Sequence, residues 1–401
     1  MVKGKMGYQF WAVVFLFICF FTRPFFLAEV GNNAAFSAVL FAVIAIISFR
    51  SFKKYDKSIY SKYLRTVSLI FFCIFILSLV INPDSSDYVV KNLVTFLPIT
   101  FFGGIVLSNE KLRYYFFKLM ILINCLSIFC GICTSILYFI FNYSFQNLTL
   151  TSIGYDYHVD SYILFPGSFY YGNFGEYNLN PFPRFMGLFR EPGISQLFYA
   201  IFALIAPRFG YKNFWFRTIL LIGIVITFST VGIISFFAVL IYIYLEKRGF
   251  KFTFKQAISS IVGLAIIFYA FAYTPLIGFS SKSTGEQRKS FEDRNMGMEY
   301  MLKEVPNHPF GTGLSYGKST GTVPTTNLLI ASYQIGLQGF IMIFAVLSYP
   351  MYKLFRSGKF PLIQLFLIGL PIYATILFSQ PIAFTPALYL VLISIFDLRG
   401  T

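Results

Sequence analysis

The feature that most constrains this chain is a train of apolar runs, each near the length of a membrane crossing, recurring along its 401 residues. A hydrocarbon core of about 30 Å takes about 20 predominantly apolar residues in helix. Runs of that kind lie near 6–22, 34–49, 64–81, 89–107, 114–142, 191–207, 214–229, 231–246, 255–273, 325–350, 360–378 and 381–396. Lipid cannot satisfy open backbone polar groups, so such spans must be helices or the strands of a closed barrel. Barrel strands alternate in polarity, and these runs do not. The expected fold is all-α: one integral membrane domain over 1–401, a polytopic bundle of about 12 transmembrane helices. Two short runs, 34–49 and 381–396, leave a re-entrant pair open as an alternative.

Charge then orients the bundle. Hydrophobic residues make up 57% of the chain and charged ones 12%, which excludes an ordinary soluble domain, yet the net charge is +16. With the N-terminus inside, 22 of the 32 basic residues fall in inner connectors, among them Lys54, Lys111, Arg113, Arg208, Arg217, Lys251 and Lys353. Only Asp56, Glu110, Glu246 and Asp397 of the 16 acidic residues join them. Connectors rich in Lys and Arg stay in the cytoplasm, so both termini are expected there. Basicity spread over short inter-helix loops is a consequence of topology, and no nucleic-acid partner is expected. The first run follows Lys3 and Lys5 as a signal peptide would, but no small-x-small cleavage site follows, and it reads as a retained helix. All five cysteines fall inside spans, where CGIC at 130–133 reads as packing rather than redox chemistry.

Two connectors are too long to be simple turns, roughly 143–190 and 274–324, and the topology puts both on the outer side. Long loops of this kind usually carry function. The first contains YGNFGEYNLNPFPRF, whose aromatic faces and amides suit a sugar, or form the aromatic belt of any membrane protein. The second predicts an amphipathic helix over about 286–305, with Phe291, Met298, Met301, Leu302 and Val305 on one face. Arg288/Glu292, Lys289/Asp293 and Glu299/Lys303 are spaced to neutralise the other face. Arg294 shares the apolar face, either as a snorkelling side chain or as a planar fork for an anion such as phosphate. No Asp, Glu, Lys or Arg lies in the middle of any span, which counts against an ion- or proton-coupled pump.

Between the first long loop and the apolar run that follows it stands RFMGLFREPG, residues 184–193. Pro192 fits the first turn of a helix, and a helix N-terminus favours phosphate or carboxylate. Arg184 and Arg190 stand beside it as phosphate donors. Glu191 is open to two readings: a favourable charge in the first turn, or a base held beside a phosphate site.

Two stretches carry a resemblance: RFMGLFREPG running into a helix, and R(x13)HPFGTG from Arg294 to Gly313 followed by TTNLLIASYQIGLQGFIMIF from Thr325. In this order and on this topology they resemble the O-antigen polymerase (Wzy) and O-antigen ligase superfamily of polytopic membrane glycosyltransferases. The resemblance implies a GT-C-like bundle in the bacterial inner membrane with two enlarged periplasmic loops. It implies polymerisation of undecaprenyl-pyrophosphate-linked oligosaccharide repeats on the outer leaflet for O-antigen or a related surface polysaccharide, as in lipopolysaccharide biosynthesis. Membrane lipid and a chain-length regulator are the implied partners. Arg190, Arg288 and Arg294 are then expected to bind pyrophosphate, with Arg184 in support and Glu191 as the base or its orienter. Asn327, Gly311 and Gly313 would shape the junction of loop and helix, and His308 is either a turn residue or functional. The outer loops hold no carboxylate or histidine cluster at ligand spacing, so neither metal nor other cofactor is expected. Ligases of this superfamily carry a His-Asn pair where this chain has Thr326-Asn327, a departure that favours polymerase. A ligase and a polysaccharide flippase remain the alternatives.

Overall fold

The computed structural model describes residues 5–25, 58–141, 149–150, 161–162, 169–171, 184–249, 269, 288–314 and 327–400. Of the expected spans, 34–49 and nearly all of 255–273 lie outside the described residues. The other ten are all helical. They form α1 (Lys5–Phe20), α2 (Ile59–Ile81), α3 (Ser86–Leu107), α4 (Glu110–Phe141), α5 (Pro192–Ile205), α6 (Phe214–Ile226) and α7 (Thr230–Lys247). After the amphipathic α8 (Arg288–Asn307) come α9 (Leu328–Arg356), α10 (Leu362–Phe378) and α11 (Pro386–Leu392), which runs on as a 3₁₀ helix, Ile393–Gly400.

Four of the described helices, Ile59–Ile81, Glu110–Leu137, Thr230–Lys247 and Leu328–Arg356, are long and apolar enough to cross a membrane. A fifth is added if Pro83–Val90 and Asn92–Leu107, bent by 44°, count as one span. Their surfaces agree with that reading. Leu69, Phe72, Ile76 and Val80 form an exposed stripe along α2, and Leu126, Phe129, Ile136 and Ile140 another along α4. Exposed apolar stripes of this size are a liability in water and the expected face toward lipid. The buried faces use small and polar side chains for close helix contact: Ser68 and Thr100 share a buried 2.6 Å hydrogen bond between α2 and α3.

Helix α5 is the axis of the bundle. All of its residues from Pro192 to Ile205 are buried, and it packs against α6, α7 and α10. A helix of 14 residues is only about 21 Å long. Its end is lengthened by a 3₁₀ turn, Ala206–Phe209, and its beginning stops inside protein. Helices α6 and α7 form an antiparallel hairpin, since Arg217 near the start of one pairs with Glu246 near the end of the other at 2.5 Å.

The two ends of the bundle differ in chemistry. At one, Arg113 makes two bonds to Asp397, Nε to Oδ2 at 3.0 Å and Nη2 to Oδ1 at 2.9 Å, and a third to the Leu107 carbonyl at 2.9 Å. Tyr60 donates to the same carboxylate at 2.8 Å and offers its ring to the guanidinium, 3.8 Å from its centroid. Arg208 donates to the Leu398 carbonyl at 3.2 Å and lies in the field of Glu246 and Asp397. These are the residues that the charge pattern groups on one side. At the other end lie the Thr227–Ser229 turn between α6 and α7, the start of α5, and the turn between α10 and α11.

The first long connector is not wholly irregular. Its described parts form two small antiparallel sheets, β1 (Thr149–Leu150) with β2 (Ser161–Tyr162), and β3 (Phe169–Tyr171) with β4 (Arg184–Gly187). The all-α expectation holds for the bundle and misses these strands, which are too short to show a period of alternation.

Candidate functional site

RFMGLFREPG folds as a strand, a turn and a helix start. Strand β4 carries Arg184 to Gly187, with Phe185 and Met186 buried. Phe189 then bridges to Phe25, their rings stacked at 5.0 Å, and the Arg190 N–H donates to the Pro24 carbonyl at 3.1 Å. Gly187 has φ +62, and a Cβ there would run into the Tyr199 hydroxyl and approach Ser127 Oγ to 3.2 Å, so only glycine fits the turn. Aromatic packing thus holds the segment rigidly on top of α5.

Pro192 opens α5 in its first turn, as the sequence predicts, while Glu191, expected within that turn, stands just before it as the N-cap. The Glu191 carbonyl accepts from the N–H groups of Ile194 and Ser195 at 3.1 and 3.2 Å, but its carboxylate does not cap the helix. It lies instead 3.3 Å from Arg190 Nη2, with both side chains partly exposed. The opening of α5 therefore presents a cation, a carboxylate and a helix N-terminus together.

Arg184 has a structural partner. Its Nε donates to the Thr227 carbonyl at 3.2 Å, at the C-cap of α6, where the chain turns through Phe228 at φ +46. A cation at a helix C-terminus is favourable in itself.

The second motif forms one interlocked unit. Helix α8 spans Arg288–Asn307, close to the predicted limits, and packs on α9. Its packed face is turned from the predicted one: Leu302 is 65% exposed, while Gly297 and Met301 are buried. Gly297 lacks the Cβ that would come within 2.9 Å of Ile330, and this close approach sets the face. Arg294, half-buried, lies one turn before Gly297 on that face, and Arg288 opens the helix. His308 closes it, its N–H bonded to the Glu304 carbonyl at 2.8 Å and its Nε2 3.5 Å from the Glu304 carboxylate. The ring is half exposed at the helix end.

Beyond His308 the chain enters a break in α9. Gly336 has φ 73 and ψ 169, which interrupts the helix, and the freed groups are taken up by the HPFGTG loop. Thr312 and Gly313 N–H groups donate to the carbonyls of Tyr333 and Gln334 at 2.9 and 3.0 Å, and Leu337 N–H donates to the Pro309 carbonyl at 3.0 Å. Gly311 and Gly313, with φ +90 and +89, make the turns this requires. Asn327, buried, caps α9 by accepting from Ile330 N–H at 2.8 Å. The loop is tied down further by Leu314 N–H donating to Ser78 Oγ at 2.5 Å. A broken helix whose backbone is satisfied by a neighbouring loop is tolerated at membrane depth only where protein surrounds it.

The first motif thus heads α5 and the second is built on α8 and α9, with α10 packed against both α5 and α9. Sequence reasoning missed what α10 contributes. Gln196 Nε2 donates to Thr375 Oγ1 at 2.8 Å, and Gln380, in the turn after α10, lies over Gly193. The available signal was the polar SQP at 379–381 between two apolar runs.

The structure defines a class: a mostly helical chain with several helices long and apolar enough for a membrane, one of them, α9, broken within its length, beside a shorter, wholly buried helix, α5. Compared with family models, curated proteins and solved structures, the chain matches none.

Proposed function

We propose that this chain is a polysaccharide polymerase, a glycosyltransferase joining undecaprenyl-pyrophosphate-linked oligosaccharide repeats on the outer leaflet of the bacterial cytoplasmic membrane. The observation that carries the reading is the Arg190–Glu191 pair at the start of the buried helix α5, where the carboxylate leaves its own helix uncapped. Glycosyl transfer from a lipid pyrophosphate needs those two charges near each other. An acceptor hydroxyl oxygen attacks the anomeric carbon of the donor sugar and loses its proton to Glu191, while the bond from that carbon to the phosphate oxygen breaks. The departing pyrophosphate-lipid takes the electron pair, stabilised by Arg190, Arg288 and Arg294 together with the helix N-terminus. An incoming pyrophosphate competes with Glu191 for the Arg190 guanidinium and leaves the carboxylate to the hydroxyl. No step calls on a metal or other cofactor.

The same reading puts the basic end of the bundle, with Arg113, Arg208 and Arg217, in the cytoplasm and the two motifs on the periplasmic side, both termini inside. Thr326, where ligases of the resembled superfamily carry His, favours polymerisation over transfer to another lipid or protein. Deletion of the gene tests the assignment in cells. A polymerase deletion leaves a surface glycan of a single repeat, since a ligase still transfers the unpolymerised unit. Loss of all capped glycan would point to a ligase or flippase instead.

A further inference from the structure

Helix α5 begins with a donor that has no acceptor. Pro192 brings no N–H, and the N–H groups of Ile194 and Ser195 both turn to the Glu191 carbonyl. That leaves the Gly193 N–H, buried and without an acceptor among the described residues. Gln380 comes from the far end of the chain to the same place. Its backbone is fixed by a 2.8 Å bond from its N–H to the Thr375 carbonyl, and the residue is only 9% exposed. Its side chain lies flat against Gly193: a Cβ added there would fall 3.0 Å from Gln380 Cδ and 3.1 Å from Cγ, and closer still to Nε2. Yet among the described residues the Gln380 amide makes no side-chain hydrogen bond, in contrast to Gln196 one turn below. The Gln380 amide is thus a donor with no acceptor among the described residues, set beside a second unfilled donor at a helix N-terminus, where an anion is favoured.

We infer that the Gln380 side-chain amide and the Gly193 N–H form a cradle for phosphate oxygens at the N-terminus of α5, completed by the Arg190 guanidinium. Gln380 then binds the pyrophosphate of the lipid-linked donor. This rests on the polymerase reading for the identity of the ligand. The chemistry follows from the donor set: two neutral N–H donors and a helix N-terminus accept an anion, and the adjacent guanidinium favours one with several oxygens. Gly193 is glycine because any side chain would lift Gln380 from its place.

The test is inorganic pyrophosphate binding by the full-length chain in detergent, measured by titration calorimetry beside thermal stability. Wild type binds pyrophosphate. Gln380→Met keeps the volume and removes the donors, and its affinity falls about 10- to 100-fold, the range for one hydrogen bond to a charged group. Gln380→Glu puts an anion in the cradle and falls at least as far. Gly193→Ala displaces the amide and weakens binding as Gln380→Met does, while Gln380→Met melts as wild type because its side chain holds nothing in the protein. Wild-type affinity in Gln380→Met and Gln380→Glu, or no binding by wild type, overturns the inference. Pyrophosphate binding that depends on Gln380, in a protein that makes no polymer from purified lipid-linked repeat, keeps the anion cradle and removes the polymerase reading.

Discussion

Gly311 sits against Gly336 at the break in α9, so close that a Cβ on either would strike the backbone of the other's segment. Both also occupy positive φ, +90 and +73. Their mutual fit explains why a loop of the second long connector and the helix that follows it behave as one piece. Gly336→Ala or Gly311→Ala meets strain of about 1–3 kcal/mol from the backbone conformation alone, and the collision adds to it. Gly358, at φ +68 with nothing within 4 Å, is the internal control, since Ala there meets the backbone strain without the collision. Membrane accumulation and detergent melting are expected to collapse for the first two variants and to fall only by the backbone strain for Gly358→Ala. Equal behaviour of all three would refute the interlock.

Asn327 separates structure from substrate. Its side chain caps α9 through Ile330 N–H, and loss of such a cap costs about 0.5–2 kcal/mol. Asn327→Asp keeps an acceptor there, so its stability should match wild type while Asn327→Ala melts lower. If Asn327→Asp is stable and fully active, the residue acts as a cap. Selective loss of polymer in a stable Asn327→Asp would give it a direct role with the anionic substrate.

The opposite end of the bundle is held by Arg113, which is 6% exposed and doubly bonded to Asp397. Removing one partner of a buried ion pair leaves the other charged and unmatched, at a cost of about 3–5 kcal/mol. Arg113→Met and Asp397→Asn are each expected to lower the melting temperature sharply, and Arg113→Met/Asp397→Leu together to recover part of the loss. A double variant as unstable as the sum of the singles would mean that the pair itself does not couple the C-terminal segment to α2 and α4.

Much of this architecture is legible from residue order because lipid leaves few options for a long apolar run, and every described run is helical. Pro192 in the first turn of α5 followed equally directly, since a proline can open a helix where its missing N–H costs nothing. Other features were hidden for physical reasons. Gly336 lies within a run that is apolar on average despite Gln334 and Gln338, and hydropathy does not register a backbone break whose bonds are satisfied by a loop. The face of α8 depends on how closely Gly297 approaches Ile330, which periodicity averages away. Gln380 and Gly193 are far apart in sequence, and only packing of α10 on α5 brings them together.

Topology has its own test. A reporter active only outside the cytoplasm should work when fused near Asn173 or Ser283, in the two long connectors, and fail near Lys54 or Lys251. A reversed result at either long connector would separate the candidate site from the outer leaflet.

The central claim is that charge at the head of α5 and on α8 drives transfer from a lipid pyrophosphate. The direct measurement is polymer formed from purified lipid-linked repeat by equal amounts of each variant. Arg190→Ala and Arg294→Ala should each lose on the order of 2–4 kcal/mol of transition-state stabilisation, very roughly 30- to 1,000-fold in rate. Lys at either position keeps the charge without the fork and should fall between wild type and Ala. Glu191→Gln keeps the shape and removes the base, so it should lose comparably while the protein still accumulates, whereas a helix-terminal charge alone is worth only about 0.3–1 kcal/mol. Near-normal polymer from Glu191→Gln would contradict its role as base, and near-normal polymer from both Arg→Ala variants would contradict the account as a whole.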